Sequence, residues 1–438
     1  MQPTQSNQPL QQALALVRQG QYQQAITVLR KFVKFYPRNF QAYNLLGLAL
    51  HYQGDEGLGM KAFQQGIQIN PNDPGALIHL GGLCAQRNRQ ERAVKYYLKA
   101  LKLQPHLPEV QYNLSIAYHK MGDNQRAIPH LENLLKTQAN HSAALSTLGL
   151  IYQAEKDDQK ALTYYNRCLS VDPGSVIALH NKAIILRRRK QFKEAIKLSQ
   201  AAIKIRPQVA DIHQNLGSCY SAMGDAEQAV SSFEKAIKLE PMNVSHHHWL
   251  NELLWKEGKS EFLNSYHHVL GSAPESHHLR RELVYKLTLA DRIEEAGEHS
   301  KYLMDKDPAN PSNPKLHGVV LRKQHRFEEA VTAHQKAVQL DPENPGCQEE
   351  LATSYLGCGD SIAALGVLNK LILQDKLHQG YIALKATALR MSGSDEYYDL
   401  CNYEKLVLKT IIELPPGYTS LTEFNQELAD YLSGMHIN

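Results

Sequence analysis

The sequence lacks the features of secreted and membrane-spanning chains. Its first ten residues, MQPTQSNQPL, contain neither a basic stretch nor an apolar one, so they do not resemble a signal peptide. No window approaches the roughly 18 uninterrupted apolar residues that a membrane-spanning helix needs. We therefore expect a cytoplasmic protein that has no membrane partner.

Cysteine is scarce, and its spacing is irregular. No C-x-x-C pair occurs among the six cysteines, which are Cys84, Cys168, Cys219, Cys347, Cys358 and Cys401. This pattern fits buried thiols in a reducing compartment better than a disulfide framework or a zinc site. G-x-S-x-G, P-loop and glycine-rich dinucleotide motifs are also missing. We predict no catalytic residue, no metal and no cofactor for this chain, and expect that it is not an enzyme.

An excess of one charge is missing as well. The chain carries 48 Lys and Arg against 44 Asp and Glu, which leaves a formal charge of +4. Such a balance gives no reason to expect a polyanionic partner. With 43% apolar residues in 438, the composition is that of a chain that folds.

A 34-residue period dominates the sequence. When the 34-residue segments are aligned on one another, one position is mostly proline. The position twelve residues earlier is mostly alanine. The proline column contains Pro37, Pro71, Pro105, Pro173, Pro207 and Pro241, with Ala139 as its exception. The alanine column contains Ala25, Ala93, Ala127, Ala161, Ala195 and Ala229, with Gly59 in one slot. After one irregular unit, the register resumes at Pro274, Pro308 and Pro342.

Each unit predicts two helices joined by a short turn. In residues 210 to 243, ADIHQNLGSCYSAMGDAEQAVSSFEKAIKLEPMN, the apolar spacing is helical on both sides of Met-Gly-Asp. Small residues at Gly217 and Ala229 allow the two helices to approach closely. Proline ends the second helix, because its ring removes a donor and clashes with the preceding turn. One such pair cannot bury its own apolar face, so the units must stack.

These columns resemble the tetratricopeptide repeat over residues 6 to 391. The resemblance implies an all-α, right-handed superhelical solenoid, followed here by a short non-repeat strand and helix. We predict a polar tail, a regular array, an irregular repeat, a second repeat stretch, and a linker with the opening segment of a missing domain. Their bounds are 1–8, 9–243, 244–274, 275–391 and 392–438.

In such superhelices the sixth residue of each unit points into the concave face. Polar residues occupy or adjoin this column at Asn44, Asn113, Thr147, Asn181 and Asn215. The column resembles the asparagine row of O-GlcNAc transferases, which implies binding to the backbone of an extended peptide. A primary amide can both donate to and accept from a peptide bond. The alternative is that asparagine is merely tolerated on a solvated face.

The densest basic run has the composition of a patch for an acidic partner. Its candidate residues are Lys182, Arg187, Arg188 and Arg189. Because aromatic residues are not interleaved with them, we do not expect nucleic acid there. Adjacent histidines, as in His267-His268, point about 100° apart on a helix and cannot chelate one metal together, although residues of neighbouring repeats can. We interpret the histidine pairs as polar surface.

The C-terminal residues break the period. Residues 406 to 412 predict a strand, Pro415-Pro416-Gly417 a turn, and Ser420 with Glu423 a capping box for a helix that ends near Leu432. This order resembles the junction, in bacterial repeat proteins, with a 2-oxoglutarate/Fe(II)-dependent oxygenase domain. That resemblance implies two histidines and an aspartate on iron, and none of them can be assigned here.

We predict a non-catalytic scaffold that binds a peptide or protein, as the substrate-recruiting arm of such an oxygenase. The alternatives are the receptor arm of an O-GlcNAc-transferase-like system and a free-standing adaptor or cochaperone. The sequence leaves the oligomeric state open.

Overall fold

The computed structural model describes residues 8–401 and Gln426. Its residues form helices, turns and bends, and no strand occurs within this part of the chain. Consecutive helices pair through short turns, which confirms the predicted all-α fold of stacked helix-turn-helix repeats. The chain divides into two compact units, Met1–Phe262 and Leu263–Asn438.

The helices of the first unit are α1 (Gln8–Arg18), α2 (Tyr22–Phe35), α3 (Phe40–Tyr52), α4 (Glu56–Ile69), α5 (Pro74–Gln86), α6 (Gln90–Leu103), α7 (Pro108–Lys120), α8 (Asn124–Thr137), α9 (Ser142–Ala154), α10 (Asp158–Val171), α11 (Val176–Arg188), α12 (Phe192–Ile205), α13 (Ala210–Ala222), α14 (Ala226–Leu239) and α15 (Val244–Lys256). Those of the second unit are α16 (Asn264–Ser272), α17 (His277–Leu289), α18 (Ile293–Lys306), α19 (Ser312–Lys323), α20 (Phe327–Leu340), α21 (Pro345–Gly357), α22 (Ser361–Gln374), α23 (Gln379–Ser392) and α24 (Glu396–Leu400). None of the described helices is long and apolar enough to cross a bilayer.

In several helix pairs, close packing depends on a glycine opposite an aromatic ring. A Cβ added to Gly217 of α13 would lie 2.7 Å from the Phe233 ring of α14. One added to Gly47 of α3 would lie 2.8 Å from the Phe63 ring of α4. Both rings are almost fully buried. The repeat therefore needs glycine here because the ring of the second helix takes the space of a side chain.

The turn between paired helices combines a left-handed residue with a helix cap. Gly224 has φ of +81°, a conformation that glycine adopts without steric cost. Asp225 follows it and accepts a hydrogen bond from the Gln228 backbone N–H at 3.2 Å. This bond satisfies one of the free N–H groups in the first turn of α14.

The irregular repeat contains the boundary between the two compact units. Within the predicted range 244–274, α16 is only nine residues long. The unit boundary falls just before it, between Phe262 and Leu263. The predicted domain bounds, including 244–274, stay predictions.

The predicted C-terminal strand and turn lie outside the described residues. Of the helix predicted from Ser420 to Leu432, only Gln426 is described, and it is helical.

Candidate peptide-binding surface

A cavity of about 500 Å³ opens on the first helices of three successive repeats. Its walls come from α1, α3 and α5, and they include the sixth-column residues Gln11, Leu45 and His79. Phe40 and Leu48 add apolar surface from α3. In this part of the chain, the sixth column therefore faces a concave, mainly apolar space.

Asn44 lines the same cavity, although it lies one residue away from the column. Its Nδ2 donates to the Asp73 carboxylate, which also accepts from the Gly75 backbone N–H at the start of α5. Its Oδ1 is buried against Gly66 and accepts no hydrogen bond from the part of the chain that the structure describes. Asn44 and Asp73 thus form a polar pair on an otherwise apolar wall.

His79 is a residue of this surface that our sequence analysis missed. Its ring stacks on Phe63 with 5.1 Å between the ring centres. One side of the His79 side chain is exposed to solvent. Protein atoms around the rest of the ring desolvate it, which lowers its pKa. The period alone could have identified it, because His79 precedes Asn113 by one repeat.

Asn113 and Asn181 are partly exposed on α7 and α11. Nδ2 of Asn181 donates to the Ile177 carbonyl of its own helix at 2.8 Å, which leaves its Oδ1 as an acceptor. Within the described residues, the Asn113 amide has no hydrogen-bond partner. These two side chains keep amide atoms for a ligand.

Thr147 and Asn215 are each only 4% exposed. The Thr147 hydroxyl donates to the Ala143 carbonyl at 2.8 Å. The Asn215 Nδ2 donates to the Ser199 hydroxyl at 3.1 Å, and its Oδ1 accepts from the Arg187 Nε at 2.8 Å. Both polar groups of Asn215 are therefore used inside the protein.

The bond from Arg187 joins two predicted sites that the sequence placed apart. Arg187 belongs to the basic run on α11, and Asn215 belongs to the asparagine column on α13. No carboxylate lies within ion-pair distance of Arg187 in the described part of the chain. Its guanidinium therefore places an unneutralised positive charge beside the column.

The other cations of the basic run have partners within the repeats. Lys182 Nζ lies 3.6 Å from the Glu194 carboxylate. Arg188 forms an ion pair with Asp158 of the preceding repeat at 2.7 Å. Arg189 donates to the Gln159 side chain at 3.5 Å. These contacts leave Arg187 as the cation of this run best placed for an acidic ligand.

Family profiles support the repeat assignment across the first unit. Profiles described as tetratricopeptide repeat match residues 10–74, 107–173 and 175–239, and one described as TPR repeat matches 81–122. Together the matched segments cover just over half of the chain.

Solved structures with similar folds share little sequence with this chain. Yeast Tom70 is 14% identical, with a TM-score of 0.43, and the match covers 92% of this chain and 99% of that one. A tetratricopeptide repeat protein from Parabacteroides merdae is 16% identical, with a TM-score of 0.40 and coverage of 72% and 98%. YrrB, described as a TPR protein with an unusual peptide-binding site, is 24% identical, with a TM-score of 0.36 and coverage of 43% and 97%. The similarity concerns the fold alone.

A curated relative matches over a short segment. The probable biofilm formation methyltransferase WspC of Pseudomonas putida is 30% identical over 87 residues, which is 18% of this chain and 20% of that protein. The chain thus spans about a fifth of the length of this relative.

Proposed function

Because the chain belongs to the tetratricopeptide repeat family, we propose that it is a non-catalytic scaffold that binds an extended peptide along the first helices of its first unit. The cavity on α1, α3 and α5 is the observation that carries this proposal. Its apolar walls and few polar groups are typical of a site that buries one apolar side chain and orients it.

Different residues of this surface take different parts of the peptide. The cavity holds an apolar side chain, and Asn113 and Asn181 bind backbone amide groups farther along the groove. Asn215 acts indirectly: it positions Arg187, which pairs with a carboxylate of the ligand. Asn44 and Thr147, both engaged in internal hydrogen bonds, shape the wall of the groove.

A displayed peptide library selected on the full chain tests this proposal. Selected peptides are synthesised, and their Kd values are measured by fluorescence anisotropy. We expect Asn113→Ala with Asn181→Ala to weaken binding by roughly 1–3 kcal/mol, since each lost hydrogen bond costs about 0.5–1.5 kcal/mol. Arg187→Gln should weaken binding only of peptides that carry a carboxylate.

The matched control is Asn133→Ala with Asn166→Ala, which removes two exposed asparagines from the second helices α8 and α10. This control should bind the selected peptides as the wild type does. If the two double variants bind equally well, the groove along the first helices is not the binding surface.

We further propose that the scaffold recruits substrates for a 2-oxoglutarate/Fe(II) oxygenase. The sequence of residues 396 to 438 supports this role through its resemblance to the junction with such a domain. The test is the coding sequence beyond Asn438. An in-frame His-x-Asp with a distant histidine supports the oxygenase, whereas a stop codon or an unrelated domain favours the free-standing adaptor or the O-GlcNAc-transferase-like receptor arm.

A further inference from the structure

Three potential metal ligands meet in the second unit, on helices that do not contribute to the peptide surface. They are His267 on α16, and Glu295 and His299 on α18. One donor atom from each lies within 4.8 Å of the other two. Glu295 and His299 are four residues apart, which puts both on one face of α18. All three side chains are partly buried.

The contact between His267 and Glu295 is close, yet it is not a hydrogen bond. The His267 Nε2 lies 3.1 Å from the Glu295 Oε1, and this buried nitrogen makes no hydrogen bond to any described residue. Ligand atoms around a tetrahedral Zn²⁺ are roughly 3.4 Å apart, as follows from bonds of about 2.0–2.2 Å. The two atoms therefore have the spacing of neighbouring ligands on one ion.

Two arginines contact the proposed ligands, one at Glu295 and one at His299. Arg292 pairs with the second oxygen of Glu295, which leaves Oε1 directed at His267. Arg280 donates from Nη1 to the His299 Nδ1 at 2.8 Å. It also donates to the Pro274 carbonyl at 2.9 Å and stacks on the Tyr302 ring. Arg280 therefore competes with an ion for His299, but it keeps two other contacts when it gives up that bond.

We propose that His267, Glu295 and His299 bind a borderline divalent cation, Zn²⁺ or an ion of similar preference. Two imidazoles and one carboxylate suit Zn²⁺, Ni²⁺ and Co²⁺, whereas Mg²⁺ and Ca²⁺ prefer oxygen ligands. Such an ion would tie the short helix α16 of the irregular repeat to α18 of the next repeat. Water would complete the coordination of the ion, since the three side chains leave at least one ligand position open.

The test uses the untagged full chain, because a histidine tag would itself bind the metal. Zn²⁺ affinity is measured by calorimetry, and Co²⁺ is added as a probe whose visible spectrum reports nitrogen and oxygen ligation. We expect one Zn²⁺ per chain, a higher thermal midpoint with Zn²⁺, and no such shift with Mg²⁺. His267→Ala and Glu295→Gln should each weaken Zn²⁺ binding at least about 10-fold.

Two matched controls change exposed neighbours of the ligands, His268→Ala on α16 and Glu298→Gln on α18. Both should bind Zn²⁺ as the wild type does. Arg280→Met removes the competing donor but keeps an apolar stem on Tyr302, so it should bind Zn²⁺ more tightly. Circular dichroism confirms that each variant is folded before its affinity is compared.

Equal Zn²⁺ binding by wild type, His267→Ala and Glu295→Gln would identify an adventitious ion only, bound at other histidines, and would overturn the proposal. Weaker binding by a folded Arg280→Met variant would remove His299 from the ligand set and would also overturn it.

Discussion

His334 occupies a position that holds an aromatic ring in other repeats. It is the eighth residue of α20, as Phe233 is the eighth of α14, and it is fully buried. Its Nδ1 and Nε2 are hydrogen-bonded to the Ser354 hydroxyl and the Lys315 carbonyl, at 2.8 and 3.0 Å. The imidazole thus fills the space that an aromatic ring takes in other repeats, and it also hydrogen-bonds to two neighbouring polar groups.

Burial makes His334 a source of acid sensitivity. Desolvation lowers its pKa from the ordinary 6.5 to about 4, although the bond to the Lys315 carbonyl opposes this. The folded state therefore binds fewer protons than the unfolded state between these two values. The contribution of the neutral ring is complete above pH 6.5 and is lost as the pH falls toward 4, by up to about 3 kcal/mol.

We predict that His334→Gln flattens the dependence of unfolding free energy on pH between about 6.5 and 4. The measurement is a urea titration at several pH values, compared with the exposed control His268→Gln. The variant is less stable at neutral pH because Gln fills the space poorly, so the slope and not the absolute stability is the readout. An unchanged slope would mean that His334 is not protonated on unfolding.

At the scale of an element, α8 contains a proline in its interior. Pro129 is the sixth residue of this helix. It therefore lies beyond the first turn, which is the part of a helix that tolerates proline. It is exposed, whereas Ala127 and Leu131 on either side are buried. The packed face of α8 therefore holds the helix together despite a lost hydrogen bond and the clash of the proline ring.

Pro129→Ala should accordingly stabilise the protein. We expect a gain of roughly 1–3 kcal/mol, because the restored backbone bond outweighs the greater freedom of the unfolded chain. The urea midpoint measures the change. Asn133→Ala, an exposed substitution on the same helix, is the control and should stay within about 0.5 kcal/mol of wild type. Equal stability of wild type and Pro129→Ala would show that α8 bends to accommodate the ring.

At the scale of the whole molecule, the irregular repeat is where the two compact units meet along the chain. In repeat arrays each repeat contacts mainly its neighbours, so a weak interface uncouples the two sides. Both tryptophans, Trp249 and Trp255, belong to α15 of the first unit. Trp255 also contacts Phe262, the last residue of that unit, at 4.8 Å between ring centres.

We predict two unfolding transitions in urea. Tryptophan emission should follow the transition of the first unit alone, whereas far-ultraviolet dichroism should report both. The single variants Trp249→Phe and Trp255→Phe should each give the same emission midpoint, because both rings report on one unit. A single transition with coincident midpoints by the two probes would show that the chain unfolds as one cooperative body.

The sequence by itself determined the fold class, because the repeated residues are those that the helix pairing, the helix starts and the helix ends require. Glycine is required where Phe233 approaches Gly217, aspartate where α14 begins, and proline where it ends. These needs are met within one repeat, so a single sequence shows them. The period likewise predicts the sixth column, and it assigns His79 to this column although the sequence analysis did not name that residue.

Only the tertiary structure decided which side chains of the candidate site are still available. The sequence cannot show that Asn215 uses both polar groups on Ser199 and Arg187, because these partners lie in other helices. It separates His267 from Glu295 and His299 by a whole helix, yet stacking brings the three together. The repeat period and helix propensity are properties of neighbouring residues along the chain, so the sequence shows them. The partners of hydrogen bonds and the residues of the proposed metal site come from different helices, and they are brought together only when the helices pack.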